Sequence, residues 1–70
     1  MDLKFSERLK ELRIESKLTQ KQLSDKLDGK IKQSSIARWE QGERVPGLDS
    51  AKLLAEYFGV SIDYLAGLED

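Results

Sequence analysis

The chain has 70 residues, of which 39% are hydrophobic and 36% are charged, and its formal net charge is −1. It contains no cysteine and no histidine, which excludes disulfides, a thiol nucleophile, an imidazole base and the usual zinc ligands. Because most enzyme chemistry is thereby removed, we expect no catalytic activity, no cofactor and no metal site. A chain this short must fold around an efficient core with mostly local contacts.

Charge is distributed unevenly along the chain. Residues 1–48 carry eleven Lys and Arg against eight Asp and Glu, a net charge of +3, whereas residues 49–70 carry one Lys against five acids, a net charge of −4. Only the first part is therefore suited to an anionic partner. No apolar run approaches the ~18 residues of a membrane span, and the charged N-terminus lacks the hydrophobic middle of a signal peptide, so we predict a cytoplasmic protein.

The first predicted element is an amphipathic helix. Phe5, Leu9 and Leu12 recur at helical spacing, and Ser6 is the expected N-cap. We expect Lys17 and Leu18 to end this helix.

A second helix is predicted to follow at once. Thr19 and Gln22 have the spacing of a capping box, in which the hydroxyl accepts a backbone N–H and the glutamine side chain reaches back. Leu23 and Leu27 then form an apolar pair, so the helix should run from about Gln20 to Leu27.

The third helix should follow a turn at Asp28 and Gly29, where glycine readily takes a positive φ. It is predicted to begin near Gln33, because the spacing of Ile36 and Trp39 puts both on one face. Gly42 is the expected left-handed end of this helix.

Two further helices complete the chain. The segment LDSAKLLAEYF places five apolar residues on one face, namely Leu48, Ala51, Leu54, Ala55 and Phe58. Gly59 should stop that helix, and Ser61 should cap a last short one over SIDYLAGL. The prediction is an all-α, compact five-helix fold in which residues 1–70 form a single domain.

Three segments resemble the DNA-binding domain of the phage repressor and Cro family in both order and spacing. They are LKELRIESKLTQKQLSDKL, IARWEQGERVP and LAEYFGVSIDYLAG, and the likeness covers nearly the whole chain, from about Phe5 to Gly67. The resemblance implies a lambda-repressor-like fold with a helix-turn-helix. It also implies that the helix starting near Gln33 lies in the major groove of double-stranded DNA.

One turn departs from the family pattern. Family members usually pass from the last leucine of the second helix to the next apolar residue through a single glycine, whereas here the letters DGK separate Leu27 from Ile31. The turn is therefore about two residues longer. Lys30 and Lys32 lie in this altered segment, and the register is fixed again from Ile36 onward.

The resemblance and the helical spacing together indicate which side chains would read bases. If Ile36 and Trp39 point inward, then Gln33, Ser34 and Arg38 face outward. Gln can bond adenine through two contacts, Arg can do the same with guanine, and Ser can contact either base. For Trp39 we expect packing in the core rather than stacking on a base.

Other positions are expected to hold the DNA or the reading helix. Candidates for contacts with phosphates are Gln20, Lys21, Lys30, Lys32 and Arg44. The resemblance also implies that Gln20 braces the first reading residue, Gln33. It further implies that Arg13 bridges to Glu40 and orients the reading helix, with Ile36 and Trp39 as its anchors in the core.

The acidic C-terminal part should face away from DNA. Its last helix carries apolar residues on more than one side, and similar proteins form a two-fold dimer contact there, so the dimer candidates are Ile62, Tyr64, Leu65 and Leu68. The alternative is that this helix tucks onto its own domain. A dimer would place two reading helices about one DNA turn, ~34 Å, apart on a palindromic site.

We therefore expect a phage or prophage type of sequence-specific regulator of transcription, with repression as its output and a palindromic operator as its partner. The alternative is a protein-binding module of the same fold, of the antitoxin or antirepressor type. With no sensor domain in these residues, the chain is either complete or the DNA-binding piece of a longer regulator.

Overall fold

The structure is a computed structural model that describes residues 4–68. Within this range the chain forms five α-helices and no strand. They are α1 (Lys4–Glu15), α2 (Gln20–Lys26), α3 (Gln33–Glu40), α4 (Leu48–Phe58) and α5 (Ile62–Ala66). The all-α, five-helix prediction is confirmed, and α2 and α3 form the helix-turn-helix.

The start of α1 corrects one prediction. Ser6 is not an N-cap, because it lies inside a helix that already includes Lys4, and the residue is only 8% exposed. The reason is that the buried side chain of Phe5 belongs to the same helical stripe as Leu9, so the helix must begin before Phe5. The helix ends at Glu15, before the predicted end at Lys17 and Leu18, and Lys17 takes a left-handed φ of 60° in the turn that follows.

The predicted capping box of α2 is present in full. The backbone N–H of Gln22 donates to Thr19 Oγ1 at 3.0 Å, and the backbone N–H of Thr19 donates to Gln22 Oε1 at 2.9 Å. Two of the four orphan amides at this helix end are thus satisfied by local sequence alone. The helix ends at Lys26, one residue earlier than predicted, with Leu27 as its cap.

The turn between α2 and α3 passes through two consecutive left-handed residues. Asp28 has a φ of 58° and Gly29 a φ of 71°. On either side of the turn the chain is anchored in the core, because Leu27 is 5% exposed and Ile31 is 3% exposed. The extra residues therefore form an external loop between two fixed ends.

Gly42 terminates α3 as predicted. Its φ is 78°, and the N–H of the next residue, Glu43, donates to the carbonyl of Arg38 at 3.0 Å. This pattern is the Schellman motif, which needs a left-handed residue and favours glycine. The last helical residue is Glu40.

α4 turns a smaller apolar face inward than its sequence predicts. Leu54 and Ala55 are buried, but Leu48 is 72% exposed. Leu48 is the first residue of the helix and follows its N-cap, Gly47, so its side chain leans toward the N-terminal end and beyond the core.

α5 is capped at Ser61, as predicted, because the N–H of Tyr64 donates to Ser61 Oγ at 2.9 Å. Gly67 then takes a φ of 83° and ends the helix at Ala66, so the last helix is shorter than SIDYLAGL.

A single core joins all five helices. α1 packs on α3 and α5, α2 packs on α3, and α4 packs on α5. The buried hydrophobic residues are Phe5, Leu9, Leu23, Leu27, Ile31, Ile36, Trp39, Leu54, Ala55 and Leu65. α3 is thus held from two sides, which leaves its remaining face open. Among the described residues, no helix has the length and hydrophobicity needed to cross a bilayer.

Candidate nucleic-acid interface

α3 has one face fixed in the core. Ile36 is fully buried, and Trp39 is 8% exposed. The indole of Trp39 meets the ring of Phe5 from α1 edge to face, with 6.3 Å between centroids and 71° between planes, a favourable aromatic geometry. The tryptophan therefore belongs to the core and cannot stack on a base.

The opposite face of α3 carries the three residues predicted to read bases. Gln33, Ser34 and Arg38 are all exposed. Ser34 and Arg38 are four residues apart and so are neighbours on the helix surface, while Gln33 lies beside Ser34 in the first turn. The structure places the three on one accessible surface that runs from the first turn of α3, with Gln33 and Ser34, to its last turn, with Arg38.

The N-terminus of α3 has no side-chain cap among the described residues. Lys32 occupies the N-cap position with an extended backbone, and its carbonyl accepts from the amides of Ser35 and Ile36 at 3.0 and 3.2 Å. The amides of Gln33 and Ser34 precede the first helical hydrogen bonds and have no acceptor within the helix. This end of α3 therefore carries a partial positive charge toward its surroundings.

Arg13 and Glu40 form a two-bond ion pair between α1 and α3. Arg13 Nε lies 2.6 Å from Glu40 Oε2, and Arg13 Nη2 lies 3.0 Å from Glu40 Oε1. The side chains are 13% and 4% exposed, respectively. The hydrogen bond from Arg13 to Glu40 raises the pKa of the guanidinium above its ordinary value, against the opposing effect of burial. Arg13 therefore stays charged throughout the physiological pH range.

Gln20 belongs to the same network. Its amide nitrogen Nε2 donates to Glu40 Oε1 at 3.2 Å. The resemblance led us to expect this side chain to brace Gln33, and the structure instead directs it to the far end of α3. An amide nitrogen has two N–H groups, and the second N–H of Gln20 has no acceptor among the described residues.

The predicted cationic contacts lie at three places. Lys21 is on α2, where its Nζ is 3.3 Å from Asp25 Oδ2 in an exposed pair. Lys30 and Lys32 are exposed in the turn before α3, and Arg44 is exposed in the segment after it. The turn lysines and Arg44 thus flank α3 along the chain at both of its ends.

One residue near this surface was missed by sequence reasoning. Ser24, half-buried on α2, donates from its hydroxyl to the backbone carbonyl of Ile31 at 2.6 Å. A serine inside a helix usually bonds to its own preceding turn or to water, so its type alone gives no sign of this contact. The only available signal was its closeness in sequence to the altered turn.

The four dimer candidates have different surroundings. Leu65 is fully buried in the core of its own domain, so its assignment as a dimer contact is wrong. It lies on α5, which packs on both α1 and α4, and the sequence alone does not show this packing. Ile62 and Tyr64 are half-buried, and the ring of Tyr64 lies 4.2 Å from the guanidinium carbon of Arg8 in α1. Leu68 is 78% exposed.

Beside these residues lies an open apolar groove of about 310 Å³. Its lining comes from α1, the loop after α3, α4 and the α5 end, and consists of Phe5, Val45, Pro46, Ala51, Ile62, Leu65, Ala66 and Leu68. Val45 and Leu48 expose 69% and 72% of their surface on the loop after α3 and at the start of α4. The monomer thus leaves a sizeable set of large apolar side chains in water.

A short second helix that packs across a third helix, with the polar face of the third left open, defines a helix-turn-helix domain. The helix-turn-helix family profile matches residues 9–65, and the chain belongs to this family, of the Cro and phage-repressor type.

Three curated relatives match nearly the whole chain. The HTH-type transcriptional activator BcrR of Enterococcus faecalis is 35% identical over 68 residues, which make up 97% of this chain and 32% of that protein. The uncharacterized HTH-type transcriptional regulator YobD of Bacillus subtilis (strain 168) is 39% identical over 66 residues, 94% of this chain and 57% of that protein. The HTH-type transcriptional regulator ImmR of the same organism is 32% identical over 68 residues, covering 97% and 52%, respectively.

The chain therefore spans between about a third and somewhat over half of the length of these relatives. No solved structure matches it.

Proposed function

We propose that this chain is a sequence-specific, double-stranded-DNA-binding regulator of transcription that reads the major groove with α3. The observation that carries the proposal is the division of this helix into two faces. Ile36 and Trp39 fix one face in the core, and Gln33, Ser34 and Arg38 stand exposed on the other. A helix so anchored can offer the side chains of its first turns to base edges without losing its own packing.

The three exposed residues have distinct roles in this proposal. The amide of Gln33 donates to and accepts from adenine, the guanidinium of Arg38 donates twice to guanine, and Ser34 contacts either base. Each well-made pair contributes roughly 1 to 3 kcal/mol of discrimination against the wrong base. Because all three side chains are already exposed in the free protein, presenting them to DNA breaks no packing contact in the core.

Phosphate contacts supply the sequence-independent part of the affinity. The proposed contacts are Gln20, Lys21, Lys30, Lys32 and Arg44. Gln20 would use its second N–H together with the first amides of α2, and Lys21 would exchange its exposed partner, Asp25, for a phosphate. With about four to six such contacts per subunit, the logarithm of the binding constant should fall with the logarithm of salt at a slope of roughly −4 to −5.

The regulator would act as a homodimer on a palindromic operator. Exposed Val45, Leu48 and Leu68 beside the apolar groove form a surface that a second copy would cover, and the acidic residues 49–68 would keep this side away from the phosphates. Two copies of α3 about one helical turn, ~34 Å, apart would then read the two half-sites.

The biological setting and direction of regulation are separate proposals. Repression remains our proposal, with a phage or prophage type of operator, in the cytoplasm and at the nucleoid when bound to DNA. The relatives differ in what their names state, since BcrR is named an activator while YobD and ImmR are named only regulators. A reporter placed behind the selected operator would distinguish the two directions, because repression requires lower expression when the protein is present.

The decisive experiment selects duplexes from a random pool and then changes the reading face. Replacing Gln33 and Arg38 together by Ala should abolish preference for the selected duplex while leaving the melting temperature nearly unchanged, because both side chains are exposed. A matched control is the double variant Lys52→Ala and Glu56→Ala on the exposed surface of α4, which should retain the preference.

Retained specific affinity in the α3 variant would overturn the reading assignment. A pool that yields no enriched duplex would instead favour the second candidate, a protein-binding module of the antitoxin or antirepressor type, for which the exposed apolar surface beside the groove is the supporting observation.

A further inference from the structure

We propose that Ser24 is a positioning residue for DNA reading, which locks the enlarged turn and thereby fixes where α3 begins. This inference rests on the proposed function and extends it to a residue that is not on the exposed face of α3. Its basis is that Ser24 fastens the turn at two separate points.

The two points are a side-chain bond and a backbone bond from the same residue. The Ser24 hydroxyl donates to the carbonyl of Ile31 at 2.6 Å, and the Ser24 carbonyl accepts from the amide of Gly29 at 3.0 Å. The segment from Ser24 to Ile31 is therefore closed on itself, with α2 as its support.

A hydrogen bond that holds this turn in one conformation matters because the turn is long and includes an unfavourable backbone conformation. The left-handed φ of 58° at Asp28 is uncommon for a residue other than glycine. A turn with about two extra residues would also have more conformational freedom than the usual one. The hydroxyl of Ser24 adds a hydrogen bond to the core packing of Ile31, the last turn residue before the N-cap of α3, and so fixes the backbone carbonyl there as well as the side chain.

The carbonyl that Ser24 binds belongs to Ile31, which stands between two lysines in the sequence, just before α3. Lys30 and Lys32 flank Ile31 in sequence and are both exposed, and Lys32 is the N-cap residue of α3, which lacks a side-chain cap. Fixing Ile31 therefore fixes the backbone that carries both lysines and sets the position of Gln33. The free protein already holds the arrangement that the complex needs, so less ordering is required on binding.

The consequence differs between specific and non-specific DNA. Binding to any duplex needs only the charge of the lysines, which a flexible turn still provides. Reading a sequence requires base-contacting side chains at fixed positions relative to the phosphates. Loss of the lock should thus reduce discrimination more than it reduces general affinity.

The test compares Ser24→Ala with a matched control, Ser50→Ala. Ser50 is also half-buried in a helix, but it lies on α4, which packs on α5. The probes are the duplex that the unaltered chain selects from a random pool and a shuffled duplex of the same composition. For Ser24→Ala, the ratio of the two affinities should fall about tenfold, within the range that one base contact contributes, and the shuffled duplex should bind within about twofold of the unaltered chain. Ser50→Ala should change neither value by more than about twofold.

An unchanged ratio in Ser24→Ala, or an equal fall in Ser50→Ala, would overturn the inference. Should Ser24→Ala not fold, amide relaxation of the unaltered protein decides the matter, because a locked turn requires order parameters of about 0.85 at Gly29, Lys30 and Lys32, as in the helices. Values below about 0.6 at these amides would overturn the lock without any DNA present. A failed selection together with rigid amides would instead count against the proposed function alone.

Discussion

Arg13 and Glu40 tie the end of α1 to the end of α3 through two hydrogen bonds, at 2.6 and 3.0 Å. The third guanidinium nitrogen, Nη1, donates to the carbonyl of Leu18 at 2.7 Å, which adds the turn between α1 and α2 to the same cluster. One planar side chain thus satisfies acceptors on two other parts of the chain, a geometry that the guanidinium of arginine permits and a lysine does not. We propose that this cluster, together with the core packing of Ile36 and Trp39, orients α3.

The first prediction concerns this ion pair. Glu40→Ala should lower the free energy of unfolding by about 3 kcal/mol, because it leaves a mostly buried guanidinium without its carboxylate and takes the acceptor from Gln20. In a domain of this size such a loss is a large part of the total stability. Urea unfolding followed by Trp39 fluorescence measures it.

The control for this prediction replaces both partners. Arg13→Met combined with Glu40→Leu should recover stability to within about 1 kcal/mol of the unaltered chain, because neither charge is then stranded. Sequence discrimination should remain impaired in that double variant, since a nonpolar contact does not fix the angle of α3 as two hydrogen bonds do. A cost below about 1 kcal/mol for Glu40→Ala would mean that the pair behaves as an ordinary surface salt bridge.

The second prediction concerns the lysines of the turn. Lys30→Gln and Lys32→Gln should each reduce the steepness of the salt dependence by about 0.9 per lost phosphate contact. Each should weaken selected and shuffled duplexes alike, because phosphate contacts carry no sequence information. Lys52→Gln on α4, in the acidic part of the chain, is the control and should leave the slope unchanged. A turn variant with an unaltered slope would remove that lysine from the phosphate-contacting set.

Local sequence rules account for most of the helix ends. Thr19 with Gln22 forms its capping box from atoms three residues apart, and Gly42 ends α3 because a left-handed residue is needed there. Such features depend on short-range backbone geometry, so they can be predicted without the fold. The same reasoning failed at Ser6, where the demand of the core for a buried Phe5 overrode a plausible cap.

Contacts between helices could be predicted only where the family likeness supplied them. The pairing of Arg13 with Glu40 spans 27 residues in sequence and has no local signature. The partner of Gln20 and the bond from Ser24 to Ile31 depend on how α2 sits against α3 and on the length of this particular turn. A pattern of types and spacings does not contain those distances.

The third prediction contrasts two glycines with open space around them, one in a left-handed backbone conformation and one in an ordinary conformation at a helix N-cap. Gly29 has a φ of 71°, and a Cβ built there would meet no atom within 4 Å, so Gly29→Ala should cost about 1 kcal/mol from the left-handed backbone alone. Gly47, the uncapped N-cap of α4, has a φ of −68° and equally open space. Gly47→Ser should therefore stabilise the protein by about 0.5 kcal/mol through a new cap and a less flexible unfolded chain. Urea midpoints of the two variants should move in opposite directions, and a common direction would contradict this account.

The fourth prediction contrasts two leucines at the C-terminal end of the domain. Leu65 is fully buried, so Leu65→Ala should cost about 3 kcal/mol of folding free energy through lost packing and a cavity. Leu68 is 78% exposed, so Leu68→Lys should leave the melting temperature of the isolated domain nearly unchanged.

If a second copy covers the groove, Leu68→Lys should shift sedimentation toward the monomer and weaken binding to a two-half-site duplex more than to a single half-site, because a buried ammonium ion is costly in a dimer contact. Full dimerisation of Leu68→Lys would exclude this surface. Loss of dimer in Leu65→Ala alone would report unfolding rather than an interface, and for that reason the two variants need to be measured side by side.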